Sequence, residues 1–214
     1  MNICLITDIH GKKSSLEKLF DSIDIREFDI LLCCGDITSF GGKKEANEIL
    51  ELIPNIQFYT VFGNCDKSEV REYIESEGIS LHEKEVKVAG YTIGGFGGSN
   101  KSPFGTPSEY GEDQIMAGLS KLSYENMILV THAPPYGTKL DRILSNKSIG
   151  SASVRAIIEK MQPLVAVSGH VHESRAIDSI GKTQLINPGP LKEGYYGTIK
   201  IDGKEVKVEL KEID

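Results

Sequence analysis

The sequence has no excess of positive charge: 24 Lys and Arg against 31 Asp and Glu give a formal net charge of −7. That argues against a broad basic footprint for duplex DNA or RNA, whose binding rests on neutralised phosphates. A small nucleotide is not excluded, because bound cations would add local positive charge. No apolar run is long enough for a membrane span, and no basic segment with an apolar stretch behind it precedes the first strand. The four cysteines, Cys4, Cys33, Cys34 and Cys65, form no CxxC pair and no disulfide-framework spacing. Three of them fall in expected strands, where a buried reduced thiol is the ordinary reading. These absences predict a cytoplasmic protein with neither a membrane partner nor a stable nucleic-acid partner. Linkers and low-complexity tracts are missing too, so one domain is expected over residues 1–214. Such a length is ample for a core, with roughly 70% of the unfolded surface buried.

What is present is a repeating plan. Residues 2–6 form an apolar run of strand length that ends in Thr7-Asp8-Ile9-His10. Leu16, Leu19, Phe20 and Ile23 then recur at helical spacing. Residues 28–34 are almost continuously apolar, as in a parallel strand buried on both faces, and end in Gly35-Asp36. Ala46, Ile49, Leu50 and Ile53 mark a second helix closed by Pro54. Residues 56–61 make a third strand, followed by Gly63-Asn64-Cys65-Asp66 and by Ser68, placed to cap the next helix. This alternation predicts an α/β chain with its ligand site past the carboxyl ends of the strands.

The middle of the chain differs. Residues 83–88 and 91–96 flank Ala89-Gly90 as a hairpin, and residues 97–107 form a loop long enough to expect a function for it. A helix is expected over 112–122 with Ile115, Leu119 and Leu122 inward. A strand at 127–130 ends in Thr131-His132-Ala133-Pro134, and a second loop runs to about residue 150. A helix bearing Val154, Ile157, Ile158 and Met161 leads to a strand at 164–167, which ends in Gly169-His170-Val171-His172. The tail, 176–180, 183–186, 195–201 and 205–210, reads as antiparallel strands.

Five strand ends therefore carry Asp8 and His10, Asp36, Asn64, His132, and His170 with His172. Only five histidines occur in the chain, and four lie at these ends. A mixture of imidazole nitrogen with carboxylate and amide oxygen suits borderline transition metals better than Ca²⁺ or Mg²⁺. Seven such side chains are too many for one catalytic ion and suit two that share a carboxylate. The fifth histidine, His82, has no motif around it and is read as a surface residue. Lys101, Lys139 and Arg142 are read as solvated charge in the long loops. Phe104 and Tyr136 are expected to line either a substrate cleft or a subunit contact, so a homo-oligomer stays open.

The ordered set Asp-x-His, Gly-Asp, Gly-Asn-x-Asp, His-Ala-Pro and Gly-His-x-His resembles the calcineurin-like metallophosphoesterase superfamily, and it spans nearly the whole chain, from Asp8 to His172. The segment 97–107, with Ser-Pro-Phe-Gly-Thr-Pro, is similar to a small prokaryotic subgroup of these proteins. The resemblance implies a four-layer αββα sandwich of two mixed β-sheets flanked by helices. It implies two divalent metal ions, manganese favoured, with nickel, zinc, iron or cobalt as alternatives. Asp8, His10 and His172 would hold one ion and Asn64, His132 and His170 the other, with Asp36 bridging and Asp66 orienting its neighbours. Two ions ~3.5–4 Å apart suit in-line attack on phosphorus, because they lower the pKa of a bridging water towards ~7 and supply hydroxide as nucleophile.

One position departs from the family. The third motif often reads Gly-Asn-His-Asp, and here it reads Gly-Asn-Cys-Asp. Cys65 cannot replace an imidazolium as a cation, and at an ordinary pKa of ~8.5 a thiol is a poorer acid near neutrality. The expected substrate is therefore a small organic or nucleotide phosphodiester. A phosphomonoesterase and a non-catalytic protein-binding scaffold of the same fold are the alternatives.

Overall fold

In the computed structural model, which describes residues 1–213, alternate residues of the first strand face two different interiors. In β1 (Asn2–Ile6), Ile3 and Leu5 pack into one apolar cluster and Cys4 and Ile6 into another. In the next strand, β2 (Ile30–Cys33), Ile30 and Leu32 join the first cluster and Leu31 and Cys33 the second. A strand projects successive side chains to opposite faces, so an all-apolar strand must be covered on both sides. That is the physical content of the continuous runs at 2–6 and 28–34.

The remaining elements supply the cover. They are α1 (Lys13–Ser22), α2 (Lys43–Leu50), β3 (Phe58–Thr60), α3 (Ser68–Ser76), β4 (Glu85–Val88), β5 (Tyr91–Phe96), β6 (Ser99–Asn100), β7 (Glu109–Tyr110), α4 (Glu112–Leu119), β8 (Met127–Thr131), α5 (Ala152–Met161), β9 (Val165–Val167), β10 (Ala176–Ile180), β11 (Thr183–Asn187), β12 (Tyr195–Asp202) and β13 (Glu205–Glu212). One sheet has the order β13-β12-β1-β2-β3 and the other β10-β11-β9-β8-β5-β4. Their inner faces share one cluster, in which Ile3, Leu5 and Leu32 of the first sheet meet Ile93, Ile128, Val130 and Val167 of the second. Leu16 and Leu19 of α1, Ile49 of α2 and Val70 and Ile74 of α3 cover the outer face of the first sheet. Ile115 and Leu119 of α4 and Ile157 and Ile158 of α5 cover that of the second. The result is four layers, helix–sheet–sheet–helix, as the motif resemblance implied.

Both sheets are mixed. β1, β2 and β3 run parallel in level register, with Ile6 opposite Cys33 and Cys33 opposite Thr60. β5, β8 and β9 also run parallel, with Phe96 opposite Thr131 and Val130 opposite Val167. Level register places the residues that follow each strand side by side at one edge.

Several expectations are corrected or refined. The tail strands are divided between the sheets: β10 and β11 extend the second, while β12 returns antiparallel to β1 and carries β13. Ser68 does not cap α3. It is the first helical residue, Lys67 holds the cap position, and the Ser68 hydroxyl donates to the Glu69 carboxylate at 3.2 Å. The segment 97–107 is a built loop, closed where β6 pairs with β7. His82 is not a surface residue. Its ring lies 4.7 Å from that of Phe62 and 4.5 Å from that of Phe96, and its Nδ1 accepts the Gly97 N–H at 3.0 Å. Burial pushes its pKa down to about 4. Among the described residues, no helix is long and apolar enough to cross a membrane.

Candidate metal centre

The predicted ligands lie where the parallel strands end, and the backbone there is unusual. Asp8, His10, Asp36 and His170 have φ of 54°, 48°, 50° and 70°, four of the ten non-glycine residues with positive φ among those described. This left-handed region is sterically poor for a residue with a Cβ and costs about 1–3 kcal/mol at each position. A ladder between the two loops sustains it: Asp8 N–H donates to Gly35 O at 3.0 Å, His10 N–H to Asp36 O at 2.9 Å and Gly11 N–H to Ile37 O at 3.0 Å. Two motif glycines serve close approach. A Cβ at Gly63 would overlap the Asp36 carboxylate, and one at Gly169 would overlap Thr7 Oγ1 and Asp8 Oδ2.

The two buried aspartates divide their oxygens between anchoring and presentation. Asp8 Oδ2 accepts from Thr7 Oγ1 at 2.7 Å and from His170 N–H at 3.0 Å. Its Oδ1 stands 3.2 Å from His172 Nε2 and 3.7 Å from His10 Nε2. Asp36 Oδ1 accepts the Cys65 N–H at 2.8 Å, while its Oδ2 lies 3.6 Å from His10 Nε2 and 3.5 Å from His132 Nε2. The Nε2 atoms of His10 and His172 are 3.2 Å apart. In His132, Nδ1 donates to Cys34 O at 2.7 Å and Nε2 faces Asn64 Oδ1 at 2.9 Å. Both ring nitrogens of His132 thus face acceptors. Burial opposes a charge on that ring, but Asp36 and then Asp8 outweigh it and push the pKa up to about 9. The His170 ring sits 5.1 Å from that of His132, and burial, then the His132 charge, push its pKa down to about 4.

The donor set fits a divalent metal. Donor atoms 3.2–3.7 Å apart have roughly the spacing of neighbouring ligands ~2.1 Å from a common ion. Three trios, Asp8–His10–His172, Asp8–Asp36–His132 and His10–Asp36–Cys65, each bring their ligand atoms within 4.8 Å of one another. Asp8 and Asp36 are 1% and 2% exposed, and their ion-pair partners among the described residues are all histidines. Buried carboxylates are costly unless a cation compensates them. His132 Nε2 lies 3.5 Å from Asp36 Oδ2 and 2.9 Å from Asn64 Oδ1, a position in which a metal would satisfy the same surroundings.

Two further predicted residues take supporting places. Asp66 accepts from the N–H groups of Ile37, Thr38 and Gly63 at 3.1, 2.8 and 2.8 Å and from Thr38 Oγ1 at 2.9 Å, which binds the loop after β2 to the loop after β3. Burial and the neighbouring Asp36 raise its pKa to about 6 against those donors. Cys65 is 9% exposed, and its Sγ is 3.6 Å from Asn64 Nδ2. Burial, then Asp36, pushes its thiol far above the ordinary range.

Sequence reasoning missed Thr106 and Glu109. Glu109 accepts from the N–H and hydroxyl of Ser102 at 3.0 and 2.6 Å and from the N–H and hydroxyl of Thr106 at 2.9 and 2.7 Å. Against the cost of partial burial, these donors bring its pKa down to about 2. An ionised carboxylate can only accept, so the Thr106 hydroxyl gives its proton to Glu109 and receives Asn64 Nδ2 at 3.1 Å. That contact turns Asn64 Oδ1 towards His132. The available signal was the Thr-x-x-Glu spacing, by which hydroxyl and carboxylate can close a turn.

Residues 1–174 match the calcineurin-like phosphoesterase family. The chain is 40% identical over 207 residues to uncharacterized protein MJ1162 of Methanocaldococcus jannaschii, covering 94% of this chain and 93% of that protein. Among solved structures, TT1561 of Thermus thermophilus matches with a TM-score of 0.77 at 17% identity, covering 98% of each chain. A novel archaeal phosphodiesterase matches with a TM-score of 0.58 at 16% identity, covering 99% of this chain and 100% of that one. Those two likenesses establish the fold alone. The family match takes in all five motifs, from Asp8 to His172, and the chain belongs to the calcineurin-like phosphoesterases.

Proposed function

We propose that the protein hydrolyses a phosphodiester of a small organic or nucleotide substrate at a pair of divalent cations. The observation that carries this reading is the position of Asp36 Oδ2, 3.6 Å from His10 Nε2 on one side and 3.5 Å from His132 Nε2 on the other. In this reading Asp8, His10 and His172 hold one cation, Asn64, His132 and His170 hold the second, and Asp36 serves both. Manganese is favoured among the metals a mixed nitrogen and oxygen set accepts, with nickel, zinc, iron or cobalt as alternatives. When bound, the pair supplies Lewis acidity towards the phosphoryl oxygens and an activated water. The chain's own residues supply orientation. Thr7 and the His170 N–H fix the Asp8 carboxylate, the Cys65 N–H fixes Asp36, and Asp66 holds the two loops that carry Asp36 and Asn64.

The diester preference rests on Cys65. A thiol raised by burial and by Asp36 does not protonate a leaving oxygen near neutral pH, so alkyl monoesters, whose leaving groups most need that proton, are disfavoured. The test is to load the purified protein with Mn²⁺, Ni²⁺, Zn²⁺ or Mg²⁺ and compare bis(p-nitrophenyl) phosphate with p-nitrophenyl phosphate and with an alkyl monoester, glycerol 3-phosphate, whose leaving group, unlike p-nitrophenolate, needs a proton. Faster diester turnover is expected. Faster monoester turnover would move the assignment to a phosphomonoesterase, and no turnover with any metal would move it to a binding scaffold.

A further inference from the structure

Beside the metal centre lies a cavity of about 830 Å³, within the roughly 300–1,000 Å³ range of small-ligand sites. His170 lines it, together with the loop that begins at Asn100. Cys65 does not line that cavity. It stands instead among the metal donors, in the trio His10–Asp36–Cys65, whose ligand atoms lie within 4.8 Å of one another. The two-cation reading employs His10 and Asp36 and leaves the sulfur without a cation.

Three observations bear on that sulfur. The first is its contacts. Cys65 Sγ accepts from Asn64 Nδ2 at 3.6 Å, and the Cys65 N–H donates to Asp36 Oδ1 at 2.8 Å. The residue is thereby fixed beside a carboxylate assigned to both cations. An amide N–H on sulfur favours the thiolate, which is the form that binds metal. The second is access. The side chains of His10 and His172 are 12% and 28% exposed, so this corner of the centre opens to solvent. Cys65 is 9% exposed, whereas Cys4, Cys33 and Cys34 are free thiols with no exposure. The third is competition for one imidazole. A neutral imidazole has one acceptor nitrogen, so His10 holds one cation at a time. That cation has two donor sets available, Asp8 with His172 or Asp36 with Cys65. Oxygen and nitrogen donors suit manganese, and sulfur suits thiophilic ions. Ligands ~2.1–2.3 Å from one ion in a tetrahedral site stand about 3.6 Å apart, so the second set closes on a cation with a movement of about 1 Å.

We propose that Cys65 is a metal donor for thiophilic dications, so that His10, Asp36 and Cys65 capture an ion such as Cd²⁺ in place of the manganese held by Asp8, His10 and His172. The proposal rests on the assignment of His10 and Asp36 as ligands and is independent of the substrate. As the metal–sulfur bond forms, the S–H bond breaks and the proton passes to solvent. Manganese leaves the thiol protonated. The centre therefore sorts cations by softness. An ion that ignores sulfur leaves Asp36 free to serve two cations, and an ion that takes sulfur draws His10 and Asp36 to one position.

The test titrates the metal-free protein with Cd²⁺ and reads the ligand-to-metal charge-transfer absorption that a cadmium–thiolate bond adds in the ultraviolet. The wild type should gain this band, saturating at the intensity of a single thiolate per chain. Cys65→Ser, which keeps the size of the side chain, and Cys65→Ala should both lack it, because the other three thiols have no exposure. Competition with a chromogenic chelator reads affinity. Loss of a group that merely orients a ligand costs roughly 10–100-fold, and loss of a donor should cost no less. Cys65→Ser should therefore weaken Cd²⁺ binding by about tenfold or more and leave Mn²⁺ binding unchanged. No band in the wild type, a band that survives in either variant, or equal Cd²⁺ affinity in wild type and Cys65→Ser would overturn the proposal. So would a serine variant that loses Cd²⁺ and Mn²⁺ affinity alike, since the side chain would then only be holding Asn64. None of these readouts needs turnover. A cadmium–thiolate band in a protein that hydrolyses no phosphoester would refute the phosphodiesterase reading and keep the donor; hydrolysis by the Mn²⁺-loaded protein with no such band would do the reverse.

Discussion

On the proposed two-cation reading, Thr106→Val should weaken one metal position and spare the other. The substitution keeps side-chain shape and removes the hydroxyl that accepts Asn64 Nδ2 at 3.1 Å and donates to Glu109 at 2.7 Å. Asn64 Oδ1 then loses the contact that turns it towards His132, 2.9 Å away. A neutral hydrogen bond contributes about 1 kcal/mol net, and loss of a group that orients a ligand typically costs 10–100-fold in metal affinity. Those factors correspond to roughly 1.4–2.8 kcal/mol. The expected result is a rise of about ten- to a hundredfold in the weaker Mn²⁺ dissociation constant, with the constant for the Asp8, His10 and His172 position unchanged. Isothermal titration of the metal-free protein, or competition with a chromogenic chelator, reads both constants. Thr106→Ser should restore wild-type binding because it returns the hydroxyl. If Thr106→Val binds both ions as the wild type does, or if Thr106→Ser is as weak as the valine variant, the orienting role of this contact is wrong.

The other predictions concern the site and its surroundings. Asp36→Ala should abolish hydrolysis and reduce metal stoichiometry while leaving the far-ultraviolet circular dichroism intact; retained turnover would contradict a carboxylate shared by two cations. Cys65→His should raise monoester relative to diester turnover in metal-loaded protein, and an unchanged ratio would remove Cys65 as the cause of the preference. His82 makes a statement about pH. Its folded pKa of about 4 lies below the ordinary value of 6.5, so between those values the unfolded chain binds the extra proton and stability falls as pH falls from about 6.5 to 4. The contribution is at most about 3 kcal/mol. Urea unfolding of wild type and His82→Phe at pH 7 and pH 4.5 isolates it: the wild type should lose more stability than the variant, and equal losses would show that the ring does not titrate in that window.

The residues legible in the sequence are those whose role depends on where a strand stops. Asp8, Asp36, Asn64, His132 and His170 each follow an apolar run, and parallel strands in level register are sufficient to bring such positions together. The continuous apolar run at 28–34 read as a strand covered on both faces, and the structure sorts Ile30 and Leu32 into one cluster and Leu31 and Cys33 into the other. His82 was misread because its partners Phe62, Phe96 and Gly97 come from other segments, and no local pattern encodes a ring packed between them. The division of the tail is of the same kind, since what separates β12 from β11 is pairing with β1 and β9, two strands outside the tail.

Thr106 and Glu109 stand between these cases. Their mutual spacing is local, but their significance is not, since it depends on Asn64 lying 42 residues earlier. The same carboxylate that holds Thr106 also holds Ser102, and Ser102 belongs to the wall of the 830 Å³ cavity. One ionised side chain therefore fastens both a group that orients a predicted metal ligand and a stretch of the wall of the cavity that His170 lines. Above pH 4.5, where Glu109 is ionised with its pKa down to about 2, the two should move together. Glu109→Gln, which weakens four acceptor contacts at once, should alter metal affinity and substrate selectivity in the same protein, with Thr106→Val, which removes one of those contacts and keeps three, altering selectivity less. If Glu109→Gln changed neither, the loop would be held by its backbone pairing between β6 and β7, and the link between cavity and metal centre would have to run through His170.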